Sequence, residues 1–171
     1  MSTTSSAPYP EHRGTRRWLT PDEEAAWRAF RRMLVAVTER TAKDLAGTSL
    51  SLPDYDVLST LAERDHHRWG LRDLAAKMEW SRSRLSHQIS RMQTRGLVDR
   101  LPDDADGRGV VLQLTEAGYA ALRGATATHL ASVRNRFVDH LSPDELETIR
   151  GLAIRIADGR DDRAPGQALN S

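Results

Sequence analysis

The stretch from Ser81 to Leu114 constrains the fold more than any other part of the chain. Ser81 is a good N-cap residue, and Leu85, Ile89 and Met92 follow at three- and four-residue steps, so the spacing predicts a helix with one apolar face. Gly96 ends that pattern, as a glycine just past a helix C-terminus does. Leu97 to Leu101 and Gly109 to Leu114 then read as two strands, the second alternating Val110, Leu112 and Leu114 with Val111 and Gln113. Between them Pro102 to Arg108 is rich in Asp and Gly, the composition of a turn. Upstream, Leu71, Leu74, Ala75 and Met78 pattern a shorter helix, and Pro53 begins another bearing Tyr55, Val57, Leu58 and Leu61. Arg64 to Arg68 is a polar connector, and Trp69 to Leu71 is short enough for only a minimal strand.

Helix, short turn, helix and hairpin, in that order, describe a winged helix-turn-helix, placed here at residues 53–114. The apolar underside turns Arg82, Ser83, Arg84, Ser86, His87, Ser90 and Arg91 outward. A helix of this kind fits the DNA major groove with its N-terminal residues at the base edges. Ser81 and the residues of the first turn are therefore expected to lie against DNA, where the free helix N–H groups also favour phosphate. From Trp80 to Arg100 there are five arginines (Arg82, Arg84, Arg91, Arg95 and Arg100) against Asp99 alone, a local charge of +4. The whole chain carries only +1, so the basic character is a local feature and not that of a general polycation. At the hairpin tip, Asp106 and Arg108 flank Gly107; residues two apart on an extended loop share a side, so the carboxylate can steady the guanidinium for a narrow minor groove.

The ends of the chain follow another rhythm. Thr20-Pro21-Asp22-Glu23 is a capping box with proline at the first helical position, and Trp27, Phe30, Leu34 and Val37 form a stripe that continues to about Leu45. Ser142-Pro143-Asp144-Glu145 repeats the start signal ahead of Leu146, Ile149, Leu152, Ala153 and Ile156. Thr115 opens a long helix expected to carry Leu122, Thr126, Leu130, Val133, Phe137 and Leu141. Stripes this apolar do not stand alone in water. Residues 18–47 and 115–158 are accordingly expected to be dimerisation helices, making the fold mainly α (α+β), a winged helix-turn-helix with terminal helices as the dimer domain. Residues 1–17, which include Arg13, Arg16 and Arg17, read as a disordered arm, and 159–171 as a frayed tail.

These residues carry a resemblance to the MarR/SlyA family of winged-helix regulators over nearly all of 20 to 158. The matching pieces are Leu71-Arg72-Asp73-Leu74-Ala75, Ser83 through Met92, Arg95-Gly96-Leu97-Val98-Asp99-Arg100, and Asp106-Gly107-Arg108 running on to Val111-Leu112-Gln113-Leu114-Thr115-Glu116-Ala117-Gly118. The last is the most specific. The resemblance implies a triangular homodimer, a recognition helix from Arg82 to Arg95, and an Arg108 that enters the minor groove steadied by Asp106. Two such heads would bind adjacent half-sites of a pseudo-palindrome on double-stranded DNA. It also implies a repressor released by a small aromatic, often anionic, effector, for which Trp27, Arg31 and Tyr55 are the first residues to test. The approach Trp80-Ser81-Arg82-Ser83 is richer in charge and aromatic surface than in many members, so base preference does not transfer.

Other classes find less support. His66-His67 lacks the i, i+4 spacing of a helical metal pair and has no cysteine to assist, which leaves a metal-responsive regulator as an alternative without a ligand set. The run from Asp103 to Gly107 lacks the glutamate that closes a calcium loop. There is no phosphate-cradling glycine loop and no nucleophile elbow, so neither an enzyme nor a cofactor is expected. A winged-helix protein-interaction module, the other alternative, would show acidic or apolar residues where this chain has arginines. No apolar run approaches the roughly 20 residues of a membrane span, and the first ten residues lack a signal-peptide core, so a cytoplasmic protein is expected.

Overall fold

A computed structural model describes residues 18–103 and 109–159. The expected N-terminal arm, the residues beyond Gly159, and Asp106 and Arg108 lie outside them. The chain divides into two compact units, one ending at Val35 and the other beginning at Ala36.

In the first unit the helix α1 (Pro21–Leu45) begins with Thr20 and Glu23 closing the expected box: the Thr20 amide donates to Glu23 Oε2 at 2.8 Å and the Glu23 amide to Thr20 Oγ1 at 3.2 Å. Trp27 stacks on Phe30 with ring centroids 5.9 Å apart, yet Trp27 remains 52% exposed, and Leu34 and Val35 are exposed as well.

The second unit holds the end of α1, then α2 (Leu52–Ala62), β1 (Arg68–Gly70), α3 (Leu71–Lys77), α4 (Arg82–Thr94), β2 (Val98–Pro102), β3 (Val110–Leu114), α5 (Glu116–Arg136) and α6 (Pro143–Ala157). The strands form one antiparallel sheet in the order β1-β3-β2, with Trp69 opposite Leu112 and Arg100 also opposite Leu112. Val57, Leu58 and Leu61 of α2, Leu74 of α3, Leu85, Ile89 and Met92 of α4, Val98 of β2 and Leu112 of β3 make one fully buried core. This is a winged helix-turn-helix: mainly helical, with the hairpin as its wing.

Three boundaries differ from the sequence reading, each for a local reason. α2 starts at Leu52 and not at Pro53, because Ser51 caps it and Asp54 reaches back to the Ser51 amide at 2.9 Å. The minimal strand expected at Trp69 to Leu71 is β1 at Arg68–Gly70, one residue earlier, because Arg68 pairs with Gln113 of β3. α5 ends at Arg136, so Phe137 is its C-cap and Leu141 lies past a 3-10 turn. That turn is held by Arg134 donating to Asp139 Oδ1 at 2.8 Å, and Ser142, preceding Pro143, is biased away from helical backbone.

The Leu-Thr-x-x-Gly segment has a geometric cause. Thr115 caps α5, accepting from the Gly118 amide at 2.9 Å, while its own hydroxyl donates to the Gly96 carbonyl at 2.7 Å. A Cβ on Gly118 would stand 2.1 Å from the Leu97 carbonyl oxygen, so the first turn of α5 can approach the turn that follows α4 only because the side chain is absent. These contacts tie the far end of the wing to the turn that follows α4.

Candidate nucleic-acid interface

Both ends of α4 are set by backbone chemistry. Ser81 Oγ accepts from the Arg84 amide at 3.1 Å. At the other end Gly96, at φ +70°, lets its amide donate to the Gln93 carbonyl at 2.9 Å and the Leu97 amide to the Met92 carbonyl at 3.0 Å, the paired bonds of a Schellman motif. The turn into α4 is built the same way on a residue that pays strain for it: Glu79 sits at φ +54°, with its amide on Ala76 O and the Trp80 amide on Ala75 O at 2.9 Å.

Leu85, Ile89 and Met92 are 0% exposed, so the opposite face of α4 must look outward. Ser83, His87, Ser90 and Thr94 form the exposed line at steps of four, three and four. Arg84, Arg91 and Arg95 stand along the flank that faces α2. Arg82 is exposed at the first helical position, and Ser86 is half-buried on the flank facing β2.

Each flank is fastened. On the α2 side the Asp54 side chain is only 3% exposed and pairs with Arg95 Nη1 at 2.7 Å, while Gln88 Nε2 donates to Asp54 Oδ1 at 2.6 Å. Gln88 in turn accepts from Arg91, and Arg95 also donates to the Ser49 carbonyl. Burial pushes the Asp54 carboxyl upward, but its bonds to Arg95 and Ser51 outweigh that and hold it below the usual carboxylate value. Asp56, two residues on, is raised by burial, with the charge of Arg84 pulling the other way. Arg84 itself sits over the Trp80 ring, its Cζ 3.9 Å from the centroid. On the β2 side Arg100 Nη2 donates to the Ser86 carbonyl at 2.9 Å and to Ser90 Oγ at 3.1 Å.

Of the expected contact residues, the structure brings Ser81, Arg82, Ser83, Arg84, Ser86, His87, Ser90, Arg91 and Arg95 onto one helix, with Arg91 and Arg95 engaged by Gln88 and Asp54. Asp106 and Arg108 are outside the described residues, whose nearest landmark is the Asp103 amide on the Gly109 carbonyl at 3.2 Å. Trp27 and Arg31 lie in the first unit; Tyr55 lies in the second, buried and stacked on His129 of α5 at 4.0 Å. His66 and His67 adopt left-handed backbone, and His67 stacks on Tyr119 at 5.4 Å. Among the described residues no three His, Asp or Glu side chains gather where they could hold a metal ion, and no helix is long and apolar enough to cross a membrane. Sequence reasoning missed Asp54, Gln88 and the clamp by Arg100. The spacing Ser51-x-x-Asp54 announced the first and the place of Gln88 within the apolar stripe the second, but Arg100 depends on hairpin register.

Comparison with known proteins agrees with this geometry. The model of the MarR family matches residues 50–110. AbsC, a MarR family transcriptional regulator of Streptomyces coelicolor, is 38% identical and superposes with a TM-score of 0.80 over 84% of this chain and 97% of that one. Sco3205, a MarR family transcriptional regulator of the same organism solved in complex with DNA, is 29% identical with a TM-score of 0.81, covering 90% of this chain and 98% of its own. The HTH-type transcriptional regulator YfiV of Bacillus subtilis is 29% identical over 138 residues, 80% of this chain and 84% of its own length.

Proposed function

Because the chain belongs to the MarR family, whose members are transcriptional regulators and not enzymes, we propose that it is a homodimeric repressor of the cytoplasm that grips a pseudo-palindromic operator and releases it when a small aromatic anion binds. Residues 53–114 are the reading head, and 18–47 with 115–158 are the helices that join two copies. In each head α4 enters the major groove from its N-terminus, so Ser81, Arg82, Ser83 and Arg84 meet base edges and phosphates first. Ser86, His87 and Ser90 follow along the groove, while Arg91 and Arg95 bring charge to its wall. Arg108 enters the neighbouring minor groove with Asp106 beside it. Two heads read half-sites about one helical turn apart, roughly 34 Å.

The observation that carries the reading is α4 itself: an apolar triad wholly buried beneath, and serines, a histidine and arginines above. Pairing of two chains is supported by apolar surface that the single chain leaves open. In the second unit these residues are Leu130, Leu152, Ile154 and Ile156, and no residue of α6 is buried. In the first they are Trp27, Phe30 and Leu34. Effector control is the part to test residue by residue, by titrating phenolic acids against Trp27, Arg31 and Tyr55 variants.

The deciding experiment selects bound fragments from random DNA and then measures affinity across salt. The reading expects a two-fold symmetric site, a dimer by sedimentation at micromolar concentration, and affinity that falls steeply as counterions are restored. A monomer, or binding indifferent to salt, removes it.

A further inference from the structure

We propose that Arg84 reads a guanine in each half-site and that Trp80 is the positioning residue that holds it ready, an inference resting on the DNA-binding reading above. The arginines near α4 are fixed in two different ways. Arg91 and Arg95 are held through their N–H groups, which donate to Gln88, Asp54 and the Ser49 carbonyl, and Arg100 spends its Nη2 on Ser86 and Ser90. Arg84 is held by a cation–π contact instead: its Cζ lies 3.9 Å from the centroid of the Trp80 ring, and a contact of this kind consumes none of the N–H donors. Those donors point from the guanidinium edge, the geometry that matches N7 and O6 of guanine in the major groove.

The platform is itself anchored. Trp80 is half-buried and packs against the core. Its amide is tied to the Ala75 carbonyl at 2.9 Å by the turn that Glu79 makes in left-handed backbone. One residue on, Ser81 caps the helix by accepting from the amide of Arg84 itself, so both the backbone and the head group of the reader have a partner before DNA arrives. A long side chain restrained in this way loses less rotamer freedom on docking than a free one. Arg82, at the same end of α4, has no aromatic ring beneath it among the described residues. Arg84 stands in the first turn, where major-groove helices touch bases.

The test uses the full chain and the site that it selects from random DNA, with binding followed by fluorescence anisotropy at fixed salt. Changing the guanine contacted near each half-site centre should weaken the wild-type protein by roughly 5- to 150-fold, as a bidentate pair lost to the wrong base does. Arg84→Lys keeps the charge and loses the fork. It should bind non-specific DNA as the wild type does and lose the preference for that guanine to within about 3-fold. Trp80→Leu, which keeps an apolar contact with the core, should lower the same preference, and Trp80→Phe should restore most of it. Three outcomes overturn the proposal. The first is an Arg84→Lys that keeps the full preference. The second is an Arg84→Ala that weakens all sequences alike with a salt slope lower by about one, which makes Arg84 a phosphate contact. The third is a Trp80→Leu that melts at the wild-type temperature and discriminates fully, which removes Trp80 from the mechanism. If Trp80→Leu does not fold, Trp80→Phe and Arg84→Lys still decide the question. A wild-type protein that selects no sequence at all rejects the DNA-binding reading first, and is told apart from these by that result.

Discussion

Replacing Asp54 by alanine removes the carboxylate on which the α2 flank of the recognition helix is fastened. Three losses follow. The capping box with Ser51 goes, worth about 0.5–2 kcal/mol. Gln88, a buried side chain, loses the acceptor 2.6 Å from its amide, and a buried donor left without a partner costs about 1–3 kcal/mol. The pair with Arg95 also breaks, but that guanidinium is 41% exposed and can turn to water, so its share is the small one of a surface pair, about 0–1 kcal/mol. The expected sum is about 3–4 kcal/mol, read as a lower urea midpoint at pH 7 and a fixed protein concentration. Asp54→Asn keeps the shape and should cost less than half of that. Because the folded carboxyl is held below its unfolded value, the stability that its charge supplies is complete above about pH 4, the unfolded range, and is lost as pH falls through the lower folded value. The gap between wild type and Asp54→Asn should therefore be flat from pH 8 to 5 and narrow only in acid. A loss below 1 kcal/mol for the alanine variant at pH 7 would refute this account of the flank.

Gly118→Ala should destabilise by about 1–3 kcal/mol in urea despite alanine's better helix propensity, because its Cβ meets the Leu97 carbonyl, whereas Gly124→Ala, with open space around it, should gain about 0.5–1 kcal/mol. Arg100→Gln should cost about 1–2 kcal/mol and speed amide exchange at the N-terminal half of α4 as the bonds to Ser86 and Ser90 go, and unchanged exchange would count against the clamp. Burial holds the His129 imidazole below its ordinary value of 6.5, so the unfolded chain takes up its proton first and stability falls as pH drops from 7 through the folded value. In His129→Gln that part of the decline should be missing from melting temperatures taken between pH 7.5 and 5.

The helices and the hairpin were legible in the sequence because their signals are local. Ser81, Gly96, Thr115 and the Ser142-Pro143 start each act within one turn of themselves, and the stripe of Leu85, Ile89 and Met92 needs nothing beyond its own spacing. What escaped was set by partners distant in the chain. Asp54 meets Gln88 and Arg95 across 34 and 41 residues, so nothing near Arg95 marks it as engaged instead of free. The short strand expected at Trp69 to Leu71 forms one residue earlier, at Arg68–Gly70, and its pairing with β3 had no local signal. The early end of α5 was local, but it was masked by the apolar residues Phe137 and Leu141, which continue the helical spacing past the point where the backbone leaves it.

The two flanks together decide how a signal could reach the DNA. Arg100 holds α4 from the wing and Asp54 from α2, and between them the triad beneath is wholly buried. Rotating α4 alone would break the buried Gln88–Asp54 bond on one side and the Arg100 bonds on the other, together about 2–5 kcal/mol, and open the core as well. An effector shifts an equilibrium only by its difference in affinity for two states, and couplings between sites are commonly 1–3 kcal/mol. That is too little to unfasten α4. If the proposed dimer is released by an effector, regulation is therefore expected to act on the separation between its two reading heads, leaving the shape of each intact.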